Sequence, residues 1–231
     1  MSGQKITIQA KDGGSFGAYV AKPASGSGPA IVVIQEIFGV NPWIRAVADQ
    51  YAAQGFVAVA PDLFWRIRPG IELNDRDPDE LQQAFGLFGE FDVAKGVEDI
   101  QATIDAARKL STGKVGAVGF CLGGMLAYLT AARTNSDATA SYYGVALDNF
   151  LGEAASIKTP TILHIAGEDK FVSKEAQERI NSGLKGNPLV TLYNYPGMEH
   201  AFARTNGEHY SEKEAKLADK RTLDFFNTNL K

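Results

Sequence analysis

Cysteine is nearly absent from this 231-residue chain, occurring once, at position 121. No internal disulfide can form, and a lone thiol accompanied by well-spaced His and Asp residues is a candidate nucleophile instead. Long apolar runs are missing too. None approaches the roughly 18 residues of a membrane span. Residues 1–10 also lack the apolar segment that opens a secretory signal. A cytoplasmic location with no membrane partner is the expectation. Excess positive charge is absent, since 23 Lys and Arg stand against 27 Asp and Glu for a net −4, and no basic stripe carries interleaved aromatics. A nucleic-acid partner is therefore not expected, and a small molecule fits better. No repeat, low-complexity tract or linker divides the sequence, which predicts a single domain over 1–231; a monomer is the expectation, although nothing in the sequence fixes the oligomeric state.

What is present is an ordinary globular composition, 45% apolar and 22% charged, with material for a sizeable core. Residues 6–8 and 16–20 flank the turn-forming Asp12-Gly13-Gly14, which predicts an opening antiparallel hairpin. Short apolar runs follow at 30–34, 56–60, 115–118, 139–143, 161–165 and 190–195, most of them separated by helix-like stretches. That alternation predicts an α/β fold built on a mainly parallel, doubly wound sheet with helices on both faces. Asn41 is suited to cap a helix, Pro42 to begin it and Gly55 to end it, with Trp43, Val47 and Tyr51 on one apolar face. Further helices are expected near 91–110, where Val93, Val97, Ile100 and Ile104 recur, and near 211–230. The stretch 65–79 shows no period and reads as a long excursion before a helix at 80–88, of the kind that shapes substrate sites.

The sharpest local signal is Gly119-Phe120-Cys121-Leu122-Gly123, where a strand runs into glycines and then into the helical pattern of 125–132. This is G-x-C-x-G, a nucleophile elbow with cysteine in place of serine. A turn from strand to helix within about one residue crowds its neighbours, so the positions two before and two after must lack bulky side chains. The thiol is then exposed at the strand's carboxyl end, near a helix N-terminus whose amide dipoles favour a thiolate. The competing readings are a buried structural cysteine and glycines that serve only strand-to-helix packing. A phosphate loop is disfavoured, because neither Gly-Lys-Ser/Thr nor G-x-G-x-x-G occurs.

The partners of such a nucleophile follow it in the order acid, then histidine. His200 lies in a Gly- and Pro-bearing loop directly after the last expected strand and is the candidate base. His164 falls inside the strand 161–165, where a core histidine is expected, and His209 falls in a polar surface stretch. Gly167-Glu168-Asp169 ends the preceding strand, so Asp169 is the candidate acid, Glu168 is its close alternative, and helix capping is the ordinary role of either.

With these residues placed, the chain resembles the dienelactone hydrolase family over nearly its whole length. The resemblance rests on residues 35–41 (Gln-Glu-Ile-Phe-Gly-Val-Asn), Pro61-Asp62-Leu63, residues 116–124, Tyr142-Tyr143-Gly144, Gly167-Glu168-Asp169 and residues 200–204, all in family order. It implies an α/β-hydrolase fold, Cys121 as nucleophile, Asp169 and His200 as its partners, and oxyanion donors from the N–H groups of Ile37 and Leu122. It also gives Glu36 a role, contacting the resting thiol and taking its proton when substrate arrives. By position alone Glu36 reads as an ordinary loop carboxylate. Phe38 and Tyr143, inside the shared motifs, join the expected substrate-binding set.

The implied reaction opens the enol-lactone ring of a carboxylate-bearing dienelactone in aromatic catabolism, with neither a metal nor an organic cofactor. Two arginines and a tyrosine normally help to hold that substrate. Arg204 matches one arginine, but Leu81 stands where the other is expected, Phe85 where the tyrosine is, and Phe88 where a tryptophan is. A less acidic lactone or ester is therefore expected, unless Arg66, Arg68 or Arg76 completes the clamp. Two other functions compete, namely a catalytically silent binding protein of this fold and a thiol redox sensor, the latter lacking a resolving cysteine.

Overall fold

Residues 30–34 read Ala-Ile-Val-Val-Ile, and a strand apolar at every position must be covered on both faces. In the computed structural model, which describes residues 3–231, this strand (β3, Ala30–Ile34) is wholly buried near the middle of an eight-stranded sheet. β1 (Gln4–Gln9) and β2 (Ser15–Ala21) form the expected hairpin, and β2 runs antiparallel to β4 (Val57–Pro61). From β4 onward all neighbours are parallel, through β3, β5 (Val115–Phe120), β6 (Ala138–Tyr142), β7 (Thr161–Ala166) and β8 (Val190–Tyr195). The order is β1-β2-β4-β3-β5-β6-β7-β8.

The two-residue period of β3 divides the core. Val32 and Ile34 pack with α3 (Val93–Leu110), α4 (Leu122–Arg133) and α5 (Lys174–Leu184) on one face. Ile31 and Val33 pack on the other face with α1 (Pro42–Ala53) and α6 (Glu212–Leu230). Helices thus cover both sides, as the alternating pattern requires.

The ends of α1 follow from its sequence. Asn41 Oδ1 accepts the Ile44 N–H at 3.1 Å, a cap whose loss typically costs about 1 kcal/mol, and Gly55 just beyond the end has φ 94°. Its buried stripe is Ile44, Val47, Ala48 and Ala52, with Trp43 and Tyr51 half-buried at its edge. The expected face was therefore rotated by about one residue. The bulky aromatics lie along the margin because the smaller side chains let the helix approach the sheet. α2 (Pro78–Glu90) begins two residues earlier than expected, since Asp77 accepts the N–H groups of Asp79 and Glu80 and Pro78 takes the first helical position. A 3-10 segment over Leu147–Ser156, absent from the sequence reading, follows Ala146 in a left-handed conformation.

The excursion between β4 and α2 is irregular but tied down. Arg66 binds Asp12 and Asp99 and lies over the Trp65 ring, while Leu73 is bonded to the Phe38 carbonyl and to the Asn41 side chain. At Gly39, with φ 74°, a Cβ would sit 1.9 Å from the Ile71 carbonyl oxygen. Only glycine lets the two loops touch, and the contact carries residues 71–76 to the carboxyl edge of the sheet. No helix among the described residues is long and apolar enough to cross a membrane.

Candidate active site

Between β5 and α4 the chain turns in one residue, and that residue is Cys121. Its φ of 57° and ψ of −115° lie where a side chain costs roughly 1–3 kcal/mol of strain. The surroundings enforce it. The Cys121 N–H donates to the Tyr142 carbonyl at 3.1 Å, and its own carbonyl accepts from Gly124 at 2.9 Å. A Cβ at Gly119 would lie 1.9 Å from the Gly123 carbonyl oxygen, and one at Gly123 would lie 2.5 Å from those of Ile34 and Gln35. The G-x-C-x-G spacing thus has the steric origin inferred from the sequence.

Backbone bonds from Gly167 to the Tyr195 carbonyl (2.9 Å) and from Glu168 to the Met198 carbonyl (2.8 Å) join the loops after β7 and β8. Across that junction Asp169 Oδ2 lies 2.8 Å from His200 Nδ1, both side chains buried, while Asp169 Oδ1 accepts the Phe171 N–H at 2.8 Å. Glu168 turns outward to Lys174 at 2.8 Å. Burial alone would lower the His200 pKa. The Cys121 charge beside it and the hydrogen bond to Asp169 outweigh that, raising it to about 10.

Glu36 follows β3, is fully buried, and neither of its carboxylate oxygens has a hydrogen-bond partner among the described residues. Burial raises its pKa, and the positive charge of Arg204 opposes that rise. The contact with the resting thiol implied by the family resemblance is not among its bonds. Its nearest ionic neighbour is Arg204, with Nη1 3.5 Å from Oε2. The Gln35 side chain fixes the loop, accepting from the Leu63 N–H at 3.0 Å and donating to the Glu36 carbonyl at 3.3 Å. The N–H groups of Ile37 and of Leu122, the first residue of α4, find no acceptor among the described residues.

Cys121, His200, Glu36 and Arg204 line a cavity of about 250 Å³. Ile37 and Phe38 form one wall, and Leu81, Phe85 and Phe88 form a second, apolar one. Tyr143 departs from expectation. It is outside the lining and stands behind the histidine, ring edge to His200 at a centroid distance of 5.0 Å. Its backbone φ is 38°, and its buried hydroxyl has no hydrogen-bond partner among the described residues. His209 departs as well, because it reaches the cavity rim, 3.6 Å from Glu199. Wider grooves elsewhere, such as one of about 840 Å³ between β1 and α3, contain neither the cysteine nor the histidine. No group of three or more His, Cys, Asp or Glu among the described residues is gathered to hold a metal ion.

None of the arginines offered as compensation lines the cavity. Arg66 is held by Asp12 and Asp99, Arg68 is exposed, and Arg76 binds the Asn206 carbonyl. Among the lining residues that the sequence did not single out, Asp75 and Phe171 touch the predicted set. Asp75, from the irregular excursion, pairs with Arg204 Nη1 at 3.0 Å. Phe171, half-exposed, sets its ring edge to His200 at 4.9 Å and meets Phe85 at 6.2 Å. Phe171 follows Asp169 in a turn closed by the Asp169 side chain, while α5 is capped by Ser173 rather than by either acid, and Asp75 had no local signal.

Residues 16–230 match the model of the dienelactone hydrolase family. A relative from Azospirillum brasilense is 48% identical, over 97% of this chain and 98% of its own length. A carboxymethylenebutenolidase of Pseudomonas putida is 43% identical, over 95% of this chain and 94% of its own. A crystal structure from Klebsiella pneumoniae superposes with a TM-score of 0.84 at 26% identity, over 97% and 98% of the two chains.

Proposed function

The chain belongs to the dienelactone hydrolase family, and on that premise we propose that it hydrolyses a small lactone or ester through a thioester acyl-enzyme on Cys121. The observation that carries this reading is one cavity in which a strained, elbow-borne thiol faces a histidine bonded to a buried aspartate.

In this reading Cys121 Sγ attacks the carbonyl carbon, and the resulting oxyanion is met by the free N–H groups of Ile37 and Leu122. Such preorganised donors are usually the largest electrostatic contribution to acyl transfer. The ring or ester C–O bond breaks, and the imidazolium of His200 gives its proton to the leaving oxygen. A water then loses a proton to His200 and attacks the thioester, releasing the acid and restoring the thiol. Asp169 holds the imidazole by Nδ1 so that Nε2 faces the reaction. Glu36, buried and without a hydrogen bond among the described residues, is the acceptor for the thiol proton when substrate arrives. No cofactor takes part in these steps. Leu81 and Phe85 favour an acyl group less acidic than a carboxylated dienelactone.

A reactive thiol without a partner suits a reducing compartment, and we take the enzyme to act in the cytoplasm as a monomer. The test is a stopped-flow burst with a 4-nitrophenyl ester. One equivalent of nitrophenol should appear before the steady state, and neither burst nor turnover should survive iodoacetamide or Cys121→Ala. Full activity in Cys121→Ala would remove the thioester route.

A further inference from the structure

We propose that Asp75 determines substrate charge, neutralising Arg204 so that the cavity accepts an uncharged ester or lactone and discriminates against an anionic acyl group. This deepens the hydrolase reading above and rests on it.

Arg204 is a deeply buried guanidinium in the cavity wall, its side chain 14% exposed. It faces two carboxylates, Asp75 at 3.0 Å and Glu36 at 3.5 Å, and its guanidinium lies over the Phe38 ring at 5.1 Å. An arginine so compensated presents little net positive field to a ligand carboxylate. A third negative charge would meet Asp75 and Glu36 at short range, in a cavity whose opposite wall is Leu81, Phe85 and Phe88. Arg204 is held in this place by charge rather than by directed hydrogen bonds. Its Nε and Nη1 are buried without an aligned hydrogen-bond acceptor, so the contact with Asp75 is an ion pair rather than a directed hydrogen bond. A guanidinium so compensated is better matched to a neutral oxygen, such as an ester, ether or ketone acceptor placed away from the scissile bond, than to a carboxylate.

Asp75 reaches this position from the turn before α2. Asn74 Oδ1 accepts the Arg76 N–H at 3.1 Å, and the Arg76 guanidinium binds the Asn206 carbonyl in the loop that carries Arg204. The two loops are thus fastened beside the ion pair as well as through it. The Asp75 side chain is 24% exposed, so replacing it leaves the core untouched.

The experiment compares two esters of similar length, neutral 4-nitrophenyl butyrate and anionic mono-4-nitrophenyl succinate. The quantity read is the ratio of their kcat/KM values within each protein. Wild type should favour the butyrate. Asp75→Asn should shift the ratio toward the succinate by about 10-fold or more, mainly through KM, because a charge-assisted contact with Arg204 becomes available. Asp75→Glu should keep the wild-type ratio, and adding Arg204→Gln to Asp75→Asn should abolish the gain. A ratio in Asp75→Asn within twofold of wild type, or a wild type that prefers the succinate, would overturn the assignment. Absence of Cys121-dependent hydrolysis of both esters in wild type would instead remove the hydrolase reading, and this inference with it.

Discussion

Asp169 and His200 stand 31 residues apart in sequence, yet Oδ2 and Nδ1 are 2.8 Å apart, while adjacent Glu168 faces solvent and Lys174. The backbone bonds between the β7 and β8 loops create this pairing, and they select one of two neighbouring acids.

The first prediction follows from that pairing. His200→Gln should lower kcat by about 10²- to 10⁴-fold with the fold intact. Asp169→Asn should cost less than His200→Gln and far more than Glu168→Gln, which should stay near wild type. Steady-state kinetics on the three variants decide it, and a Glu168 variant worse than the Asp169 variant would reverse the assignment.

Glu36 offers a separation of function from stability. A buried carboxylate without hydrogen-bond partners is unfavourable for folding, so Glu36→Gln should leave the melting temperature unchanged or raise it. The same change should slow the acylation burst. A clear loss of thermal stability would mean that the carboxylate is a structural group.

Leu81 and Phe85 lie on the apolar wall, at positions where the family resemblance implies an arginine and a tyrosine. The double variant Leu81→Arg with Phe85→Tyr should raise the specificity constant for a carboxylated lactone relative to a neutral ester by about 10-fold or more. A flat ratio would show that this wall does not read substrate charge.

His164 yields a prediction for pH. Buried between the Tyr195 hydroxyl (2.7 Å) and the Thr222 hydroxyl (2.8 Å), it is held neutral, its pKa lowered to about 3 by burial first and the Arg221 charge second. The unfolded chain protonates this histidine near pH 6.5. Its contribution to stability is therefore complete above that value and lost as pH falls toward 3. His164→Gln, which cannot take the proton, should melt lower at pH 8 but show a shallower decline between pH 6.5 and 4 in thermal scans. Parallel declines in the two proteins would contradict it.

The strands were legible because a two-sided parallel sheet demands uninterrupted apolar runs. Residues 30–34 matched β3 at both ends for this reason, while 190–195 matched β8, an edge strand interrupted by Thr191 and Asn194 and only partly buried. Where a helix face was misread, as for Trp43 and Tyr51, periodicity identified the apolar residues but did not say which of them fits closest to a sheet. The elbow was legible for a different reason: its sterics act within five consecutive residues, so Gly119, Cys121 and Gly123 carry the constraint in their spacing. His164 was recognisable as a core histidine because it interrupts an otherwise apolar strand.

Sequence by itself determined the strand and helix succession, the glycine-flanked cysteine, and the placing of two adjacent acids and a histidine at the ends of the last two strands, because these depend on local sterics and on burial at fixed periods. Only the tertiary structure decided that Tyr143 stands behind His200, that His209 reaches the rim, and that Asp75 faces Arg204. Those contacts join loops with no periodicity of their own, and their positions are set by where the sheet edges and the backbone bonds between loops bring distant segments together.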